Sequence, residues 1–199
     1  AVALPANGYL VACADLAVFQ AKYPTVTNVV GPWTGFLNNS TEDINLDDAT
    51  GRRVTSVRYA DEGDWAIRQR GFNDLTHRGW TWYAPHDGLG KSLELINPVL
   101  PNGLGQNWAS SVPTNGTPGR ANSVLSNNVP PLILEVRHFP VIPKSTESVQ
   151  ITARLVDEAL PSVNVTLFHR VDATTTNAFA AVPMTDDGLG GDAAAGDAL

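Results

Sequence analysis

Cysteine and methionine occur once each in the 199 residues, charged side chains make up only 17% of them, and basic residues are the scarcer sign, 13 Lys and Arg against 20 Asp and Glu. The lone Cys13 can close no disulfide within the chain and cannot supply a thiolate metal cluster. Set in the apolar run Tyr9-Leu-Val-Ala-Cys-Ala14, it reads as a small buried thiol rather than a nucleophile. A formal net charge of −7 leaves no electrostatic footprint for nucleic acid or for an anionic membrane surface. No apolar run approaches the ~18 residues of a membrane span, and the first residues lack the basic-then-apolar pattern of a secretory signal. The chain opens at Ala1 without a methionine, so the expectation is an excised piece or processed product of a larger protein. Neither a nucleic-acid partner nor membrane insertion is expected.

What the sequence does contain is turn chemistry and apolar residues: 17 Gly, 14 Pro and 43% hydrophobic content, without a repeating period. That combination predicts many short elements between turns, hence an all-β fold of one or two domains. Tyr9–Ala14 predicts a buried strand. Asp15 caps a short helix carrying Leu16, Phe19, Gln20 and Tyr23 near helical spacing, and Pro24 ends it. Asp43-Ile-Asn-Leu-Asp47 and Arg52–Tyr59, joined by Asp48-Ala-Thr-Gly51, predict a hairpin with Ile44, Leu46, Val57 and Tyr59 toward a core. Ser92–Asn97 is a further short strand, and residues 98–123, punctuated by Pro and Gly, predict an ordered loop or closing wrap. The Pro-Pro pair at 130–131 makes a stiff connector, which places domains at 1–124 and 132–199 with a linker at 125–131. In the second domain, Leu132–Phe139, Ser148–Val156, Val163–Val171 and Ala178–Met184 are strand-like at sandwich spacing. Within it Val163, Val165 and Leu167 share one face, opposite Asn164, Thr166 and Phe168.

Four constellations could carry chemistry. The carboxylates Glu42, Asp43, Asp47, Asp48, Asp61, Glu62 and Asp64 lie in polar, turn-rich sequence, so a solvated face is preferred over a glycosidase pair. His77, His86 and Asp87 lack the G-x-S-x-G elbow of a serine hydrolase and any zinc-binding spacing, and read as loop residues making ordinary hydrogen bonds. Trp80 and Trp82 share one side of an extended segment ending at Tyr83. Exposed, these aromatics would hold a glycan; burial of the tryptophan pair in a sandwich core is the stronger expectation. The nearby Arg58, Arg68, Arg70 and Arg78 are expected to pair with neighbouring carboxylates. Finally, Asp186, Asp187, Asp192 and Asp197, spaced by glycines, could ligate calcium, although the spacing misses the EF-hand pattern and a plain acidic turn is preferred. No other cofactor is suggested.

Taken in order, Leu4-Pro-Ala-Asn-Gly-Tyr-Leu-Val11, the helix to Tyr23, Gly35-Phe-Leu-Asn38, Ile44-Asn-Leu-Asp47, Val54-Thr-Ser-Val-Arg-Tyr59, Ser92-Leu-Glu-Leu-Ile-Asn-Pro98, Asn107-Trp108, Gly116-Thr-Pro-Gly119 and Asn122-Ser123 resemble the bacterial lamin tail domain family. The part after the Pro-Pro segment resembles the Ig-like module that often follows that domain in secreted bacterial surface proteins, ahead of a spore-coat-H-type kinase region. The resemblance implies an immunoglobulin-like β-sandwich of lamin tail type with its N-terminal strands missing. It also implies a second, C-terminally truncated Ig-like or fibronectin-III-like sandwich, and it brings no catalytic residues. Missing strands would leave open edges and a tendency to self-associate.

The leading expectation is therefore a non-enzymatic, extracellular or cell-surface module for protein interaction or adhesion. The alternative is an accessory ligand-binding module of a larger enzyme, taking a glycan on Trp80, Trp82 and Tyr83 or calcium on the terminal aspartates.

Overall fold

The structure, a computed structural model, describes residues 4–74, 77–171, 178–192 and 194–198. Among the described residues it is all-β apart from one helix and three short 3-10 turns. It divides into two compact units, Ala1–Asn127 and Asn128–Leu199. Among the described residues the strands pair two by two, in six two-stranded sheets, and no helix is long and apolar enough to cross a membrane.

The first unit opens with β1 (Val11–Ala12), parallel to β2 (Val29–Val30). The buried strand predicted over Tyr9–Ala14 is cut down to these two residues, because β2 offers only two residues of partner; Cys13 is buried, while Tyr9 is exposed. Between them runs α1 (Leu16–Lys22), whose first turn is closed by the Asp15 carboxylate accepting the Val18 N–H at 3.0 Å. This satisfies one of the orphan donors at a helix start. Phe19 and Tyr23, four residues apart, bring their rings to 4.9 Å, and the Tyr23 hydroxyl donates to the Asn115 carbonyl at 2.7 Å.

The predicted hairpin is present as β3 (Thr41–Asp47) and β4 (Arg53–Ala60), with Ile44 opposite Val57 and Leu46 opposite Thr55. Its turn is fixed by the Asp48 carboxylate, which accepts from the Thr50 hydroxyl and from the Thr50 and Arg52 N–H groups. The Thr50 hydroxyl first, then the two N–H groups, hold the Asp48 carboxyl below the usual carboxylate range. Val57 and Tyr59 are half-buried, but Ile44 and Leu46 are exposed, not core. A two-stranded sheet buries a side chain only where something is laid over its face.

A second hairpin, β5 (Ile67–Asp74) with β6 (His77–Tyr83), follows a 3-10 turn at Gly63–Trp65. Then β7 (Leu93–Leu95) pairs with β8 (Trp108–Ser110), so the segment read as a loop over 98–123 contains a strand. The 3-10 turn Gly105–Asn107 precedes β8. A Cβ on Gly105 would sit 2.7 Å from the Asp64 carbonyl carbon and 2.8 Å from the Trp65 ring, and the Trp65 and Trp108 rings meet at 5.8 Å, tilted by 37°. Only a residue without a side chain permits that approach.

In the second unit β9 (Leu132–Phe139) pairs with β10 (Gln150–Val156), and β11 (Val165–His169) with β12 (Ala180–Met184), both antiparallel. Val129, Leu132, Leu134 and Ala153 are its buried apolar residues. Along β11 the predicted alternation holds, with Val165 and Leu167 half-buried and Thr166 and Phe168 exposed.

Candidate functional site

The β5–β6 hairpin sets Arg68 opposite Trp82 and Arg70 opposite Trp80. Directly opposed residues of an antiparallel pair project to the same face, and so do residues two apart on one strand. Beyond Arg70 the register shifts, with Asn73 next opposing Arg78. Gly71 and Phe72 therefore lie across from the single residue Gly79, an extra residue that bends the strand. A Cβ on Gly71 would lie 3.2 Å from the Gly79 carbonyl oxygen, which explains the small residue in the crossing. Three arginines, 68, 70 and 78, thus share one face with two tryptophans.

That face is open. Trp80 is 52% exposed and Trp82 42% exposed, so the preferred expectation of a buried indole pair does not hold: among the described residues the hairpin stands as its own two-stranded sheet. The Arg68 guanidinium carbon lies 4.3 Å from the Trp80 ring centroid, and that of Arg70 lies 6.0 Å from it. Trp82 carries no such cation among the described residues. The arginines were expected to pair with carboxylates, and Arg58 does so with Asp43 at 3.7 Å. Among the described residues Arg68, Arg70 and Arg78 have no carboxylate within 4.0 Å, because their strands carry aromatic rings where the β3–β4 hairpin carries acids. Tyr83 opposes Ile67 and so projects to the other face, apart from the two tryptophans, although it too is exposed.

The other candidates have structural employment. His86 Nδ1 lies 3.2 Å from the Ser110 hydroxyl and Nε2 lies 3.3 Å from the Ala60 carbonyl. A carbonyl only accepts, so Nε2 donates to Ala60 while Nδ1 pairs with the serine hydroxyl. Asp87 is exposed, and the His77 side chain lies outside the described residues. In the acidic hairpin, Asp47 pairs with Arg53 and Asp48 with Arg52.

Near the C-terminus the carboxylates of Asp186, Asp192 and Asp197 bring oxygens within 4.8 Å of one another. Asp187 stands outside that group and accepts the Leu189 N–H at 2.9 Å. Much of the cluster's acceptor capacity serves the loop itself: Asp186 accepts from the N–H groups of Gly196, Asp197 and Ala198, and Asp192 from those of Gly188 and Ala194.

The sequence reading missed a buried polar network in the first unit. Glu94, 4% exposed, accepts from the Ser92 and Thr117 hydroxyls and from both the hydroxyl and N–H of Ser123. Burial pushes its carboxyl up, and the donors, Thr117 and Ser123 foremost, outweigh that and hold it below the usual range. Asn107, 0% exposed, accepts the Asn97 N–H and donates to the Asn97, Leu100 and Pro101 carbonyls. Asn97-Pro98 and Asn107-Trp108 were the available signal, since an Asn beside a turn often bonds the backbone around it.

Comparison of the chain with protein-family models, with curated proteins and with solved structures gives no match.

Proposed function

We propose that the chain is a non-catalytic recognition module of a larger extracellular or cell-surface protein, and that it binds through the Arg68–Arg70–Arg78 and Trp80–Trp82 face of β5–β6. In this reading the two units are a lamin-tail-type and an Ig-like sandwich, as the order of motifs from Leu4 to Ser123 suggests. The observation that carries the proposal is the exposure of two indoles beside three arginines that have no carboxylate partner among the described residues. Large aromatics and arginines are the residue types that dominate binding hot spots, and here neither contributes to a core. His86, part-buried between the Ser110 hydroxyl and the Ala60 carbonyl, reads as a structural bridge, because among the described residues no carboxylate orients its ring as a catalytic triad requires. The plain acidic turn, rather than a calcium site, is supported by the backbone donors already on Asp186 and Asp192.

The test is retention of the purified chain on isolated bacterial cell-envelope material. The reading expects retention that falls at least fivefold in Trp82→Ala and in Arg68→Gln while melting is unchanged. Equal retention by wild type and both variants, or turnover of any substrate by wild type, contradicts it. Among the described residues no sheet has more than two strands, which leaves strand edges without a neighbouring strand and favours self-association. Sedimentation velocity showing a monomer at every concentration speaks against that.

A further inference from the structure

The geometry of the same β5–β6 face points to a ligand class: we infer that it binds a carboxylate-bearing glycan, with a pyranose ring on Trp82 and the sugar carboxylate at the guanidinium edges of Arg68 and Arg70. The inference rests on the reading of this face as the binding surface and adds the chemistry of what it takes.

The two tryptophans have different roles. Trp80 is already occupied on one side by the Arg68 guanidinium, 4.3 Å from its ring centroid, with Arg70 at 6.0 Å. A stacked guanidinium is held flat by the ring while its N–H groups point outward in the plane, the geometry that grips a carboxylate with two parallel hydrogen bonds. Trp80 therefore positions the Arg68 guanidinium. Trp82, directly opposite Arg68 and 42% exposed, has no cation over its ring among the described residues and remains open as a platform. The C–H face of a pyranose is apolar, and an exposed indole offers it a flat apolar surface. Trp80 and Trp82 are two residues apart on one strand, about 6.5 Å, so a sugar on Trp82 brings a substituent within reach of the guanidiniums beside Trp80.

Charge selects among ligands that share aromatic and anionic character. The face carries Arg68, Arg70 and Arg78 but belongs to a chain of net charge −7. A nucleic acid presents a phosphate charge every ~1.7 Å of duplex axis, a density that is drawn to extended positive surfaces. One short cationic patch on an acidic protein suits a polymer with about one carboxylate per sugar or pair of sugars, read locally by bidentate contacts. Neutral glycans would leave the two guanidiniums unused.

The experiment is calorimetric titration of the full chain with a uronic-acid hexamer, with the same hexamer after reduction of its carboxyl groups, and with a single-stranded oligonucleotide hexamer. The inference expects binding of the uronate hexamer, at least tenfold weaker binding of the reduced hexamer, and no preference for the oligonucleotide. Trp82→Ala and Arg68→Gln should each weaken uronate binding about tenfold or more. Arg68→Lys should fail to restore it, because an ammonium neither stacks flat nor forks onto a carboxylate. Gln69→Ala, on the opposite face, should leave it unchanged. No binding of the uronate hexamer, equal binding of the reduced hexamer, or tighter binding of the oligonucleotide overturns the inference. The first comparison is between ligands, so it does not depend on any variant folding. If the uronate hexamer fails while envelope retention remains dependent on Trp82, the ligand class is wrong and the binding surface stands. If envelope retention is independent of Trp82, the surface itself is wrong.

Discussion

The Arg68 guanidinium lies over the ring of Trp80, diagonally across the hairpin, and not over Trp82, the residue it directly opposes. An exposed cation–π contact of this kind contributes about 0.5–1 kcal/mol. The double-mutant cycle Arg68→Ala with Trp80→Ala should therefore show a coupling of about that size in urea unfolding, whereas Arg68→Ala with Trp82→Ala should show coupling near zero. Equal coupling to both tryptophans would place the guanidinium elsewhere.

Asn107 should stabilise the first unit more than Asn102, whose side chain makes an exposed contact. Its side chain serves the buried Asn97 N–H and carbonyl and the Leu100 carbonyl, and each buried group left unpaired costs about 1–3 kcal/mol. Asn107→Ala should lower the unfolding free energy by at least ~2 kcal/mol. Asn102→Ala, which loses one exposed hydrogen bond to Thr55, should cost about 1 kcal/mol or less. Chemical denaturation of the two variants decides it, and similar midpoints would mean that the buried network carries no special weight.

Much of this architecture is legible in the residues, and the exceptions share a cause. The capping aspartate of α1, the β3–β4 hairpin and its Asp48 turn, and the alternation along β11 are all local, set by side chains within a few positions of one another. The network around Glu94 and Asn107 is not local: the partners of Glu94 include Thr117 and Ser123, far along the chain. No periodicity announces a carboxylate buried by loops. The burial of Ile44, Leu46 and Trp80 was misjudged for a related reason. Period-two alternation says which residues share a face, and it does not say whether another layer covers that face.

Acid should weaken the first unit through Glu94. The hydroxyl and N–H donors around it hold its folded carboxyl below the ordinary range, so the charged form is favoured by folding. The stabilisation is complete above the unfolded glutamate value of about 4.3 and is lost as the pH falls from there through the lowered folded value. Thermal melts between pH 7 and 3 should show a decline that is shallower in Glu94→Gln than in wild type. An identical pH dependence in the two would remove Glu94 as its source.

At the C-terminal loop, Asp186→Ala removes the acceptor for the N–H groups of Gly196, Asp197 and Ala198. Hydrogen exchange at those three amides should accelerate at least tenfold, without calcium present. Added calcium should leave wild-type exchange unchanged, since the carboxylates act as caps. Marked slowing by calcium would instead establish the aspartates as cation ligands.

The central claim, that Trp80 and Trp82 stand in water beside arginines with no carboxylate partner among the described residues, is tested most directly by ionic quenching of tryptophan fluorescence. Iodide, attracted by the guanidiniums, should quench wild type well beyond caesium. The excess should fall by more than half in the Trp80→Phe, Trp82→Phe double variant, where Trp33 remains as an exposed indole, and shrink in Arg68→Gln. Weak and equal quenching by the two ions, unaltered by those substitutions, would mean that the indoles are buried and that the proposed recognition face does not exist.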